Sequence, residues 1–146
     1  MHIHARIGRT LSTVHRLTQA HLSRQLEPFE LGSGQFMFFM ALLRHEGTTQ
    51  EELSSLLRVD KATTAKALHK LVDTGYVAKE RDDRDGRVWR VRLTEKGHAL
   101  IPQVLTCLRG WAEVMYAGFS NEEKKVFAEM LERIVCNIDQ REEVRT

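Results

Sequence analysis

A chain of 146 residues with 42% apolar and 29% charged side chains has the size and composition of a globular domain, which excludes a disordered tail or a fibre. Its longest apolar run, residues 36–43, is too short to cross a bilayer, and its amino terminus lacks an apolar secretory stretch behind a basic start, so no membrane partner and a cytoplasmic location are expected. The net charge of +2 is unevenly spread: residues 1–57 sum to 0, residues 58–96 to +4 and residues 97–146 to −2, the footprint of a module that meets phosphates with its middle third only.

In chain order, Ile3, Ile7, Leu11, Val14 and Leu17 recur at helical spacing and predict an amphipathic helix ending near Glu27-Pro28. Pro28 and Gly32 punctuate. Ser33 is the expected N-cap of a second helix with Phe36, Phe39, Met40 and Leu43 as its apolar stripe and His45-Glu46-Gly47 as its end. Thr49 opens a third, short helix, because its hydroxyl can accept an orphan backbone N–H while Glu52 reaches back in a capping box. Leu53, Leu56 and Leu57 form its inner face, and Arg58-Val59 its end.

Asp60 is the expected N-cap of the next helix, with Lys61 at its first position, so two helices meet across a tight turn. On its helical wheel Ala65, Leu68, Leu71 and Val72 share one side and Thr63, Lys66, Ala67 and Lys70 the other, with Gly75 closing it. Small hydroxyls and methyls near the start, followed by lysines, suit a DNA groove: the small groups admit base edges and the lysines meet flanking phosphates.

Residues 76–81 and 87–94 read as two strands, the second with Trp89, Val91 and Leu93 on one face and Val88, Arg90 and Arg92 on the other. Between them Asp82-Asp83-Arg84-Asp85-Gly86 is a turn in which Gly86 is expected at positive φ. A hairpin directly after two helices joined by a turn is a winged helix, whose tip arginine can enter a narrow minor groove. The acidic neighbours then act as splints that orient guanidinium groups. A long helix follows the wing, with Ile101, Val104, Leu105, Leu108, Trp111, Ala112 and Met115 in line, and Ser120 with Glu123 caps a last helix carrying Val126, Phe127, Met130, Leu131, Ile134 and Ile138. These stripes exceed what one small core can cover and predict a homodimer.

The stretches 50-QEELSSLL-57, 60-DKATTAKALHKL-71, Gly75-Tyr76-Val77, Arg81, 85-DGR-87 and 93-LTEKG-97 resemble the winged-helix core of the multiple-antibiotic-resistance regulator (MarR) family, and the flanking helices match in order and length. The resemblance implies a mainly α fold with a small β-hairpin wing over residues 1–146, its DNA-binding core at about 32–97 and dimerisation helices at about 1–28 and 98–141. It implies a homodimeric regulator, a repressor, on a pseudo-palindromic operator of double-stranded DNA. The DNA-contact candidates are Lys61, Thr63, Thr64, Lys66 and Lys70 on the recognition helix and Arg84 and Arg87 on the wing, with Asp85 as wing support. Gly86 departs from the pattern, standing where many relatives carry a second arginine. The resemblance also implies a cleft for a small aromatic acid or phenol, where His15, Arg16 and Gln19 would meet the Phe36 to Met40 stripe.

Other classes find less footing. No Gly-rich phosphate loop, Gly-x-Ser-x-Gly or His-x-x-x-His occurs, so an enzyme is not expected, nor is a cofactor. His2 and His4 are a short terminal pair rather than a metal-ligand set, and Cys107 and Cys136 lack metal or redox spacing and read as packing residues. A metal- or redox-responsive regulator of the same fold, and a winged helix that binds protein, are the alternatives.

Overall fold

The computed structural model describes residues 2–143 and forms two compact units that divide between residues 109 and 110. The first contains α1 (His2–Leu26), a 3-10 turn (Glu27–Phe29), α2 (Ser33–Arg44), β1 (Thr48–Thr49), α3 (Gln50–Leu57), α4 (Lys61–Asp73), β2 (Val77–Arg81), β3 (Trp89–Leu93) and the larger part of α5 (Glu95–Met115). The second contains the end of α5 and α6 (Asn121–Glu143). The three strands form one antiparallel sheet in the order β1-β3-β2. This is the expected winged helix, mainly α with a small β wing.

The core of the first unit lies among α2, α3, α4, the sheet, the carboxyl end of α1 and the start of α5. Phe38, Phe39, Leu42, Leu53, Leu68 and Leu26 are wholly removed from water there. The α2 stripe read from the sequence is turned. Phe39 is buried as expected, but Phe38 and Leu42 join it, while Phe36, Met40 and Leu43 are only partly covered. The cause is that residues 36–43 are apolar all round, so periodicity offers no preferred face. The N-cap also shifts: Gly32 holds the extended N-cap conformation and Ser33 is the first helical residue.

The α3 capping box is present in full. Glu52 N donates to the Thr49 hydroxyl at 3.1 Å and Thr49 N to the Glu52 carboxylate at 2.9 Å. Thr49 is also the last residue of β1, pairing with Arg90, and this short third strand had no signal in the sequence. Gly47 makes the approach to it, at φ +78° with its N–H donating to Val91 at 3.0 Å. At the far end of α4, Tyr76 N donates to Leu71 O and Gly75 N to Val72 O, each at 3.0 Å, the paired bonds of a Schellman cap with Gly75 at φ +81°.

The Leu-Thr-x-x-Gly stretch closes this unit. Thr94 donates its N–H to Tyr76 O at 2.9 Å and its hydroxyl to Gly75 O, and accepts Gly97 N at 3.1 Å at the start of α5. Lys96 donates to Thr74 O and its ammonium lies 4.8 Å from the centre of the Tyr76 ring. Gly97 sits so close to the turn that a Cβ would stand 2.3 Å from the Tyr76 carbonyl oxygen.

Both termini carry long apolar stripes in contact with water. On α1, Ile3, Ile7, Leu11, Val14 and Leu17 are exposed, and only Leu22 and Leu26 near its end are buried. In the second unit the Ser120–Glu123 capping box starts α6 as read, and Val126, Phe127, Met130, Ile134 and Ile138 are exposed. Cys107 packs against the core, whereas Cys136 is exposed on α6 rather than packed.

Gly97→Ala should destabilise the fold by about 1–3 kcal/mol, because the added methyl meets a backbone carbonyl that is itself bonded and cannot retreat. Urea unfolding followed by far-UV circular dichroism checks this, with Gly110→Ala, which meets open space, as the comparison.

Candidate nucleic-acid interface

The two helices of the turn are locked by polar contacts in a core that is otherwise apolar. Arg58 ends α3 in the left-handed conformation at φ 55°, and Asp60 then caps α4 with its carboxylate accepting Thr63 N at 2.8 Å. Hydrogen bonds from the Thr63 backbone and then its hydroxyl hold the Asp60 carboxyl below its ordinary pKa. Inside, Ser54 on α3 donates to the Thr64 hydroxyl at 2.9 Å, and Thr64 donates to Asp60 O at 2.9 Å.

That contact corrects the helical wheel. Thr64 is fully buried, together with Ala67, Leu68 and Leu71, while Ala65 is half-buried and Val72 is exposed. The inner face of α4 is turned by one residue from the sequence reading, because the hydroxyl of Thr64 finds a partner in Ser54 and can enter the core like an aliphatic group. Thr64 therefore leaves the outward set. Lys61, Thr63, Lys66 and Lys70 remain on it, all exposed, and the three lysines pair with no acidic side chain among the described residues. His69 adds to this side, 3.4 Å from Asp73.

In the wing, Asp85 and Arg87 form the expected two-point pair, with Arg87 Nε 3.1 Å and a terminal nitrogen 3.2 Å from the carboxylate. Arg87 is otherwise open to water. Arg84 is exposed and its side chain makes no ion pair among the described residues. Gly86 does not have a positive φ, so the turn is shaped by something else. That is Asp82, which sequence reading missed. Its carboxylate accepts Arg84 N at 2.7 Å and Asp85 N at 3.1 Å, and pairs with Arg90, whose guanidinium also donates to Gly47 O at 2.8 Å. The Arg90 hydrogen bond is the main cause, with the Arg84 and Asp85 amides next, of a pKa held below the ordinary aspartate value. The signal was present as an aspartate at the first turn position with free amides two and three residues on.

A family model described as the MarR family matches residues 30–88. The crystal structure of a MarR transcriptional regulator from Methanosarcina mazei Go1 is 40% identical, covers 92% of this chain and 96% of its own, and superposes with a TM-score of 0.85. The chain belongs to the MarR family. Among curated relatives of this MarR-family regulator, an uncharacterised HTH-type transcriptional regulator of Bacillus subtilis, YybA, is 27% identical over 91% of this chain and 89% of its own length. A MarR-family regulator from Listeria monocytogenes, solved with a 26mer DNA, shares the fold at TM-score 0.85 and 22% identity over 91% of this chain and 89% of that one. The family consists of transcriptional regulators rather than enzymes.

The effector residues are not brought together as read. His15 and Arg16 are exposed, Gln19 is half-buried, and Arg16 donates to its own helix, to Ser12 at 2.8 Å and Thr13 at 3.2 Å. Phe36 and Met40 instead face an open cleft of about 480 Å³ with Leu56, Leu57 and Leu108, edged by Arg44 and His45. No group of three or more metal-ligating side chains occurs among the described residues.

The Arg84 amide should report the Asp82 carboxylate in an acid titration followed by NMR. The folded-state pKa is depressed, so the contact is complete above the ordinary value of 3.8 and is lost as pH falls through the lower folded value. The Arg84 amide shift should therefore have a midpoint below 3.8, and Asp82→Asn should remove that transition.

Proposed function

We propose that this MarR-family regulator is a repressor that binds a pseudo-palindromic site in double-stranded DNA as a homodimer. The observation that carries the reading is the joint presentation of an α4 face bearing Lys61, Thr63, Lys66 and Lys70 and a wing arginine, Arg87, held in a fixed fork by Asp85. Lys66 and Thr63 would approach base edges in the major groove, Lys61 and Lys70 the flanking phosphates, and Arg87 the minor groove, with Arg84 at the tip. Thr63 has a further constraint. Its hydroxyl proton is committed to Asp60 at 2.8 Å, so toward a base it offers lone pairs and a methyl group, which suit an amino group of adenine or cytosine or the thymine methyl. The relative from Listeria monocytogenes solved with a 26mer DNA supports the duplex as ligand.

Two changes test this reading. Lys66→Ala should lower DNA affinity without unfolding the protein: loss of a phosphate contact reduces the salt slope by about one, and loss of a base contact costs roughly 1–3 kcal/mol. Arg87→Ala should cost most on sites with A·T-rich flanks, where a narrow minor groove concentrates negative potential. Fluorescence anisotropy on a selected duplex at two salt concentrations measures both, and parent-like binding by both variants would remove the interface.

Homodimerisation is supported by the water-exposed stripes of α1 and α6, whose aliphatic side chains a second copy would cover. Sedimentation equilibrium should give twice the 16.9 kDa chain mass, and Leu11→Glu with Ile134→Glu should shift it to monomer and abolish binding to a two-half-site duplex.

A small aromatic acid is the proposed effector, and the cleft beside Phe36 and Met40 moves its anchor from Arg16 to Arg44, with His45 nearby. In thermal melts a benzoate-like acid should raise the midpoint of the parent and of Arg16→Ala but not of Arg44→Ala. Equal responses in parent and Arg44→Ala would exclude this anchor.

A further inference from the structure

The DNA contacts above leave one surface feature without a role. A groove of about 560 Å³ runs between the amino end of α3 and the wing, and Thr49, Gln50, Lys79, Arg87 and Trp89 line it. Trp89 is 47% exposed although it shares its side of β3 with the buried Val91 and Leu93. The strand alternation predicts an inward position for Trp89, and the sheet instead runs past the edge of the core, leaving the indole in water. Its ring is nevertheless held: Arg81 is its cross-strand partner, and the guanidinium stands 4.9 Å from the ring centre. Across the groove Lys79 donates to the Gln50 side chain at 3.3 Å, tying the wing to the first turn of α3.

We propose that this groove seats one sugar–phosphate strand of duplex DNA, with the Trp89 indole against deoxyribose and Lys79 against the adjoining phosphate, where the strand passes from the groove to the minor-groove arginine Arg87. The proposal rests on the DNA-binding reading and adds to it a contact that the recognition helix and wing tip do not make. Three features select this occupant. The lining combines apolar Trp89, Val88 and Val91 with the cations of Lys79 and Arg87, which suits a strand that carries both apolar sugars and anions. Glu51 is the acidic residue of the lining, and Lys79 is a cation there bonded to the neutral Gln50 side chain rather than to a carboxylate. The groove is continuous with Arg87, and its other wall is the first helix of the helix-turn-helix, the element that crosses the DNA backbone in such modules. The first-turn N–H groups of α3 at Gln50 and Glu51 have no acceptor within the helix, and a helix amino end favours an anion. Sugar and phosphate are common to all sequences, so the contact adds affinity and register, not base preference.

The test uses the full-length protein and a duplex selected by the parent. Subtracting the emission of Trp89→Phe from that of the parent isolates Trp89 from Trp111, the other tryptophan. At saturating duplex, established by anisotropy of labelled DNA, acrylamide quenching of the Trp89 component should fall by about half or more. Trp89→Ala should weaken binding about five- to tenfold, as expected for loss of a buried aromatic contact, and by the same factor on A·T-rich and G·C-rich flanks. Trp89→Phe should recover most of that loss. Saturation by DNA with Trp89 still fully open to acrylamide, or parent-like affinity of Trp89→Ala, overturns the groove while the DNA reading stands. A loss confined to A·T-rich flanks overturns it too, since that pattern belongs to the Arg87 contact. An acidic peptide that shields Trp89 where the duplex does not would reassign the groove to a protein partner. Failure of the parent to bind any duplex overturns both readings.

Discussion

The packing of Gly97 against the carbonyl of Tyr76 sets the geometry on which the whole DNA-binding unit depends. At that point α4 has just ended in its Schellman cap, β2 is about to begin and α5 starts, so three elements meet within the span of one peptide group. Thr94 bonds both the Gly75 and Tyr76 carbonyls and caps α5, and the Tyr76 hydroxyl donates to Phe29 O at 2.6 Å, which ties the junction to the 3-10 turn after α1. Tyr76 is buried and also meets Phe39 edge to face at 6.2 Å. Burial, and secondarily the nearby Glu30, raises its phenol pKa, so the donor stays protonated in neutral solution. The junction between recognition helix and wing is thereby held by the close approach of the Gly97 backbone and by the Thr94 and Tyr76 side chains.

Charge in the wing is organised as a set of braces. Asp82 holds the loop amides and Arg90, Arg90 reaches the Gly47 carbonyl before β1, and Asp85 holds Arg87. The Asp85–Arg87 pair is exposed enough that its contribution to global stability is small. Its effect is on geometry: an arginine with a flexible stem loses less freedom on meeting DNA when a carboxylate has already oriented its fork. The crowding of both charge signs around one turn is then a requirement of presenting a cation at a defined position. The lysines of α4 have no such bracing, and the helix itself positions their stems.

How much was legible in the sequence varies with the range of the interaction. The capping boxes at Thr49–Glu52 and Ser120–Glu123, the cap at Asp60, the closure at Gly75 and the Asp85–Arg87 pair all involve residues two to three positions apart, or a single glycine, and each is found as read. The lysines at 61, 66 and 70 follow directly from helical period and polarity. The misread faces depend on neighbours far along the chain. Thr64 looked like an outward hydroxyl until Ser54, ten residues away, supplied its partner. Trp89 looked like core until the extent of the sheet left it at the rim.

By itself the sequence determined the helices, two of the three strands and their bounds to within a residue or two, and which charged residues gather near the wing, because local hydrogen bonding and periodicity are set by adjacent residues. Only the tertiary structure decided which face of α2 and α4 turns inward, that Thr48 and Thr49 add a third strand, that Arg90 joins Asp82 to the Gly47 carbonyl, and that Arg44 rather than Arg16 edges the apolar cleft. The physical reason is that an apolar run such as residues 36–43 has no preferred side, and a buried hydroxyl or an unpaired strand edge acquires its partner only when distant segments pack.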